Sequence, residues 1–124
     1  MSAYSDMLDA LVAEAEAVLG VKATRDPSMV ASLIAANGGC VYVQFPTHVG
    51  RLMAGPNLEV PVSLVAPAPA DVQSMDWLLD HFDALVEFVG PRNVTTGPLD
   101  IGSDTFPAVT ATAQIALDTT EVHP

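Results

Sequence analysis

Apolar residues recur at helical spacing in three segments of the chain. In each segment they occupy one face of the helix, and a glycine follows as a stop signal. The second segment also has a start signal, because Asp26 is a favourable N-cap residue and Pro27 suits the first helical position. The pattern therefore predicts three helices, at residues 3–19, from Asp26-Pro27 to Asn37-Gly38, and at residues 71–89.

Alternation of apolar and other residues predicts strands at Cys40–Phe45, at residues 58–66 and at about residues 108–117. In the middle one, Pro61 cannot donate a ladder hydrogen bond, so this strand is expected to be an edge or to carry a bulge. Residues 46–57 are expected to form a binding loop between the first two strands. Residues 92–107 are expected to be a loop or a short strand with a turn around Gly102-Ser103-Asp104.

The order is helix, helix, strand, strand, helix, strand or loop, strand, without an internal repeat. A chain of 124 residues has the size of one domain that buries its own core. The expected fold is α+β: a small mixed or antiparallel sheet packed against helices in a single domain, residues 1–124, with residues 118–124 frayed.

Charge and composition narrow the function classes. Four basic residues against fifteen acidic ones give a net charge of −11, which opposes the phosphate neutralisation that drives nucleic-acid binding. No specific nucleic-acid partner is therefore expected. The single cysteine, Cys40, favours a reducing compartment. The apolar stretches fall short of a membrane span, and the acidic N-terminal segment has the pattern of an amphipathic helix and not of a signal peptide.

The motifs of cofactor and metal binding are missing from the sequence. Neither a Walker A pattern nor GxGxxG occurs, so no nucleotide cofactor is predicted. The three histidines, His48, His81 and His123, are far apart, and Cys40 has no CxxC partner, so no metal site and no cofactor are predicted.

Cys40, His81 and an aspartate are the one set that resembles a nucleophilic triad. A cysteine that opens an apolar strand is more often core filler, and a histidine beside Asp80 is expected to be a boundary residue paired with a carboxylate. No catalytic residue is predicted, and the protein is not expected to be an enzyme.

The most distinctive polar pattern steps by four, three and four residues along the third helix and forms a carboxylate stripe: Asp76, Asp80, Asp83 and Glu87. One interpretation is a solvated face; the other is a selected use, such as lining a repulsive channel or binding a basic partner. Asp100, Ser103 and Asp104 offer oxygen ligands for calcium, although their spacing departs from the EF-hand and an Asx-type turn explains them equally well.

Several segments together resemble the tail terminator proteins of long-tailed actinobacterial phages. They are the N-terminal helix, the Asp26-Pro27 helix start, the GCVYV and VPVSLVAP strands, the helix with Trp77-Leu78-Leu79 and the terminal PAVTATA strand. The likeness covers most of the chain and lies in element order and a loose pattern.

The resemblance implies a non-enzymatic virion protein, assembled in the host cytoplasm, that oligomerises as a ring, commonly hexameric. The ring caps the tail tube and joins it to the head-side connector, so the tube and connector proteins are the expected partners. The carboxylate stripe is then a candidate lining of the lumen. Leu52 and Met53 in the expected loop and Pro61 in the expected edge strand are candidate subunit or tube contacts.

Three alternatives stay open at this point. Another neck or tail-completion protein has a similar size and composition. A small acidic ligand- or calcium-binding module uses the third helix or the turn at residues 100–105. A small enzyme uses Cys40 or His81.

Overall fold

Three helices and a six-stranded mixed sheet make up the computed structural model, which describes residues 3–52, 55–90 and 94–116. The helices are α1 (Ala3–Leu19), α2 (Val30–Asn37) and α3 (Val72–Val89). The strands are β1 (Ala23–Thr24), β2 (Cys40–Val43), β3 (His48–Leu52), β4 (Gly55–Val65), β5 (Thr95–Ile101) and β6 (Asp104–Ala116). The predicted α+β class is confirmed, whereas the predicted frayed end, residues 118–124, lies outside the described residues.

Local capping explains why the three predicted helices form where they do. Asp26 accepts a hydrogen bond from the backbone N–H of Ser28 at 3.0 Å and caps a 3₁₀ turn, Pro27–Met29, that leads into α2. Gly38 ends α2 with a φ of 79°, a left-handed conformation that glycine adopts without strain. At the start of α3, Asp71 accepts from the N–H of Ser74 at 2.8 Å.

The sheet has the strand order β1-β2-β4-β6-β5. Strand β3 pairs with the N-terminal half of β4, on the same side of β4 as β2. Among the described strand pairs, β1 and β2 are parallel and the others are antiparallel. The short β1 was not predicted, and β5 is a full strand where a loop or short strand was expected. The predicted turn is confirmed as the connection between β5 and β6, with Gly102 at a φ of 64°.

The strand that contains Pro61 is central, so the prediction of an edge strand is wrong. Pro61 is buried, and its carbonyl accepts from the N–H of Gln44 at 2.9 Å, on the side away from β6. In a strand the N–H and the C=O of one residue point to the same side. The missing donor therefore faces the gap where β2 has ended and β3 has not begun. The irregularity lies on that partner segment, where Thr47 and His48 both lie opposite Glu59.

Much of the predicted binding loop, residues 46–57, is a β-hairpin instead. His48–Leu52 pairs with Gly55–Glu59 in antiparallel register, and Met53 lies outside the described residues. Strand β2 ends at Val43, so Phe45 does not share the buried face of Val41 and Val43 and is 85% exposed.

One face of the sheet carries both α1 and α3 and holds the larger core. Inward-facing side chains of β2, β4 and β6 meet the buried faces of the two helices there; they include Leu11, Ala15, Val43, Val60, Val62, Leu85 and Ala111. The indole of Trp77 lies so close to Gly39 that a Cβ at that position collides with the ring. This contact explains the glycine at the entrance to β2.

On the other face, the described residues form a helical cover at one end, where α2 lies. Val30 and Ile34 of α2 pack there with Cys40, Val65 and Phe106. Beyond α2 the face becomes polar: the hydroxyl of Ser63 lies 2.7 Å from that of Thr110 and accepts from the side-chain amide of Gln44 at 2.8 Å. On the first face, α3 packs on β4 and β6, and its outer flank faces the outer strand β5.

Candidate functional site

The four carboxylates of the stripe lie on one exposed face of α3: Asp76, Asp80, Asp83 and Glu87. The opposite face of the helix buries Leu78 and Leu85 against the sheet. Among the described residues, none of the four carboxylates takes part in an ion pair. The stripe is therefore an unneutralised negative surface.

An apolar flank borders this stripe on the side of β5. It consists of three α3 residues whose side chains are 76%, 54% and 65% exposed: Val72, Met75 and Leu79. All three belong to the apolar residues at helical spacing that predict α3 in the sequence, yet the fold does not bury them. Helix α3 packs on β4 and β6, and this part of its wide apolar face points instead toward β5.

A groove of about 590 Å³ runs between the apolar flank and β5. Met75 and Leu79 form the helix side, Pro98 and Val109 belong to the strands, and Phe106 lies at the end near α2. The segment Ala68–Ala70 completes the lining ahead of α3. Such a volume falls in the range of roughly 300–1,000 Å³ that is typical of binding pockets, and the walls suit an apolar ligand group.

The β5–β6 turn at the end of the groove carries the residues considered for calcium. One carboxylate oxygen of Asp100 accepts a hydrogen bond from the hydroxyl of Thr105 at 2.6 Å. Asp104 is exposed and pairs in register with Ile101. Within the part of the chain that the structure describes, no group of three or more His, Cys, Asp or Glu is arranged to hold a metal ion. The hydrogen bond between Asp100 and Thr105 joins two side chains that lie opposite each other in the β5–β6 ladder.

Cys40 and His81 have structural environments. Cys40 is fully buried in the α2 cluster, and burial raises the pKa of its thiol to about 12, so the thiol stays protonated at neutral pH. The ring of His81 donates from Nδ1 to the carbonyl of Trp77 at 2.8 Å and packs on the indole with ring centroids 4.4 Å apart. The expected carboxylate partner of His81 is thus replaced by a backbone carbonyl one turn earlier.

The residues proposed as contacts fall in three different places. Pro61 is buried within the central strand β4. The prediction that it contacts another subunit or the tube from an exposed edge is therefore wrong. Leu52 ends β3 opposite Gly55, and Met53 lies outside the described residues. Two unpredicted apolar residues on that side of the sheet are exposed: Phe45 at 85% and Val49 at 51%. No periodicity signals them, because exposure there depends on where β2 ends.

Comparisons with protein-family models, with curated proteins and with solved structures find no match to this chain. Within residues 3–52, 55–90 and 94–116, no helix combines the length and the apolar character that a membrane crossing needs.

Proposed function

We propose that this chain is a structural virion protein of the tail terminator type, which oligomerises as a ring that caps the tail tube. The observation that carries the proposal is the apolar flank of α3 beside the groove. Isolated exposed apolar residues are ordinary, but a contiguous exposed patch next to a concave surface is typical of a protein-binding site. An assembly subunit needs such surfaces.

The resemblance to tail terminators supplies the particular assembly. In this proposal the ring, commonly hexameric, binds the tail tube on one side and the head-side connector on the other. It forms in the host cytoplasm and stays in the virion.

The unneutralised stripe on α3 supports a role for this helix at the lumen. A wall of carboxylates repels phosphates, so DNA passes along it without being held. We place Asp76, Asp80, Asp83 and Glu87 at the lumen for this reason. A density map of the ring with α3 on its outer surface would contradict this placement but not the proposal that the chain forms a ring.

The environments of Cys40 and His81 also favour an assembly role over catalysis. A buried thiol with a raised pKa is a weak nucleophile, because the thiolate is the reactive form. The Nδ1 atom of His81 is engaged by a backbone carbonyl, and no described contact joins the two residues.

Electron microscopy of the native particle tests the proposed station. A Val18→Cys variant carries a maleimide–gold label, since Val18 is exposed on α1 and the native Cys40 is buried and protonated. We expect label at one ring, at the head-proximal end of the tail. The wild-type chain under the same treatment is the matched control. Label along the whole tube, or only on free monomers, contradicts the proposal.

A further inference from the structure

We infer that the α3–β5 groove is occupied by a second copy of this chain, whose Phe45–Val49 segment inserts into it. This inference rests on the proposed ring and names the contact between neighbouring subunits. It follows from two apolar features that the fold places at opposite edges of one sheet.

The strand order determines where the two features lie. Strand β5 is the outer strand on one side and contributes Pro98 to the groove. Segment Phe45–Val49 joins the end of β2 to β3, on the other side of β4. A contact between two different surfaces of the same chain is heterologous, and repetition of it produces a ring when the rotation closes. Opposite edges are therefore the arrangement that a head-to-tail ring needs.

The two surfaces match in chemistry. Phe45 is 85% exposed, and the neighbouring Val49 is 51% exposed. A phenylalanine side chain buries roughly 150–250 Å² on association, which makes it a strong anchor in an apolar pocket. On the receiving side, Met75 and Leu79 are exposed on the helix wall of the groove. Both partners thus remove apolar surface from water.

The two edges of the sheet also differ in charge. Residues 27–58 contain no Asp or Glu, although the chain has fifteen acidic residues, and this stretch places His48 and Arg51 on β3. The groove side carries Asp76 and Asp80 on α3 and the turn residues Asp100 and Asp104. In the fold, Glu59 lies opposite His48 on the β3 edge, so contact between unlike edges pairs a surface with few acidic residues with one that has several. A two-fold contact between like edges opposes the carboxylates to each other instead, in a chain of net charge −11.

Disulfide trapping between two single-site variants tests the pairing. Phe45→Cys and Leu79→Cys replace exposed side chains, and Cys40 is buried and protonated, so it does not compete. The two variants are mixed, oxidised and analysed by mass spectrometry after proteolysis. We expect the disulfide between positions 45 and 79 of different chains to exceed both symmetric disulfides at least tenfold. Val18→Cys, at an exposed position on α1, is the control and should form no preferred product with either variant.

Sedimentation velocity of Phe45→Ser provides the second measurement. We expect self-association at least tenfold weaker than for the wild type, whereas Val18→Ser should associate like the wild type. Predominance of the symmetric disulfides, or unchanged association of Phe45→Ser, overturns the inference. So does a wild-type chain that stays monomeric, or one whose groove is filled only by a different protein of the particle.

The two proposals fail separately. If gold-labelled particles show the ring at the neck while Phe45→Ser still assembles, the subunit contact is wrong and the station is supported. If the disulfide between positions 45 and 79 forms while no ring occurs at the neck, the contact is supported and the tail station is wrong.

Discussion

Helices α1 and α3 lie on the same face of the sheet, yet they use their apolar residues differently. Helix α1 buries Leu8, Leu11, Ala15 and Leu19 and leaves Val18 as its one exposed large apolar residue. Helix α3 buries Leu78 and Leu85 and leaves the three residues of the apolar flank exposed. Helix α1 packs on β1, β2 and β4, whereas α3 packs on β4 and β6 and turns its apolar flank toward β5, the outer strand that lines the groove with it.

The two helices also differ in whether their acidic residues have basic partners within the chain. Two acidic residues of α1 have basic partners: Asp9 lies 2.8 Å from Arg25, and Glu16 lies 3.6 Å from Lys22. The stripe on α3 has no such partner among the described residues. Helix α1 therefore has part of its charge compensated within the chain, while α3 combines two features, several exposed apolar groups and uncompensated charge, that a further protein surface is suited to meet.

Truncation of a buried and of an exposed leucine on α3 gives the largest expected difference. Leu85→Ala removes a fully buried side chain from the larger core, and we expect it to lower the free energy of unfolding by about 2–5 kcal/mol. Leu79→Ala, at a position that is 65% exposed, should change it by less than about 0.5 kcal/mol in the monomer. Urea denaturation at low protein concentration measures both.

The same pair distinguishes stability from association. At high concentration Leu79→Ala should weaken self-association, because Leu79 lines the groove. A large loss of monomer stability in Leu79→Ala would mean that the apolar flank belongs to the core and that the contrast with α1 is mistaken.

The helices could be predicted because their signals are local. Periodicity, the Asp26 cap and the glycine after each segment are all contained within one element, and the structure begins and ends the helices close to those signals. The apolar flank could not be predicted, since Met75 and Leu79 have the same helical spacing as the buried Leu78 and Leu85. Their exposure depends on which elements pack around α3, which is a tertiary property.

Strands were predictable only where one face is buried continuously. Val109, Ala111 and Ala113 alternate with polar residues, and β6 follows that pattern. Strand β3 has Gly50 and Arg51 instead of an apolar alternation, and it forms because β4 extends beyond β2 and offers a free ladder. The edge-strand prediction from Pro61 failed for a related reason. Proline indeed donates no ladder hydrogen bond, but the gap between β2 and β3 that accommodates it is formed by residues distant in the sequence.

The pH dependence of the α3 cap gives a smaller effect. The N–H of Ser74, which donates to Asp71, lowers the pKa of that carboxyl group below its usual value of about 3.9. A depressed folded-state pKa contributes stability that is present above the unfolded-state pKa and is lost as the pH falls through the folded one. We expect the thermal midpoint of the wild type to fall more steeply than that of Asp71→Asn below about pH 4.

Circular dichroism melts from pH 2 to pH 7 measure that difference, and Asn is a suitable control because it caps helices without a charge. A constant gap between the two proteins over this range would mean that the ionised Asp71 does not stabilise the start of α3. The cap at the start of α3 would then act through its hydrogen bond without a contribution from charge.

Neutralising one carboxylate on each helix gives the smallest effect, and the two signs should be opposite. Asp80 lies four residues after Asp76 and three before Asp83, and like charges at these spacings destabilise a helix by a few tenths of a kcal/mol per pair. Asp80→Asn should therefore raise the free energy of unfolding slightly. Asp9→Asn removes the ion pair with Arg25 and should lower it by about 0.2–1 kcal/mol.

Urea denaturation at 20 mM and at 1 M salt measures both changes, and high salt should shrink each of them because exposed charges are then screened. If Asp80→Asn instead destabilises the chain as Asp9→Asn does, the stripe has cationic partners within the fold and cannot act as a repulsive surface. If it stabilises the chain, Asp80 is retained at the expense of the subunit's own stability. Such a residue is better explained by what its face repels, or binds, in an assembly than by the folding of one chain.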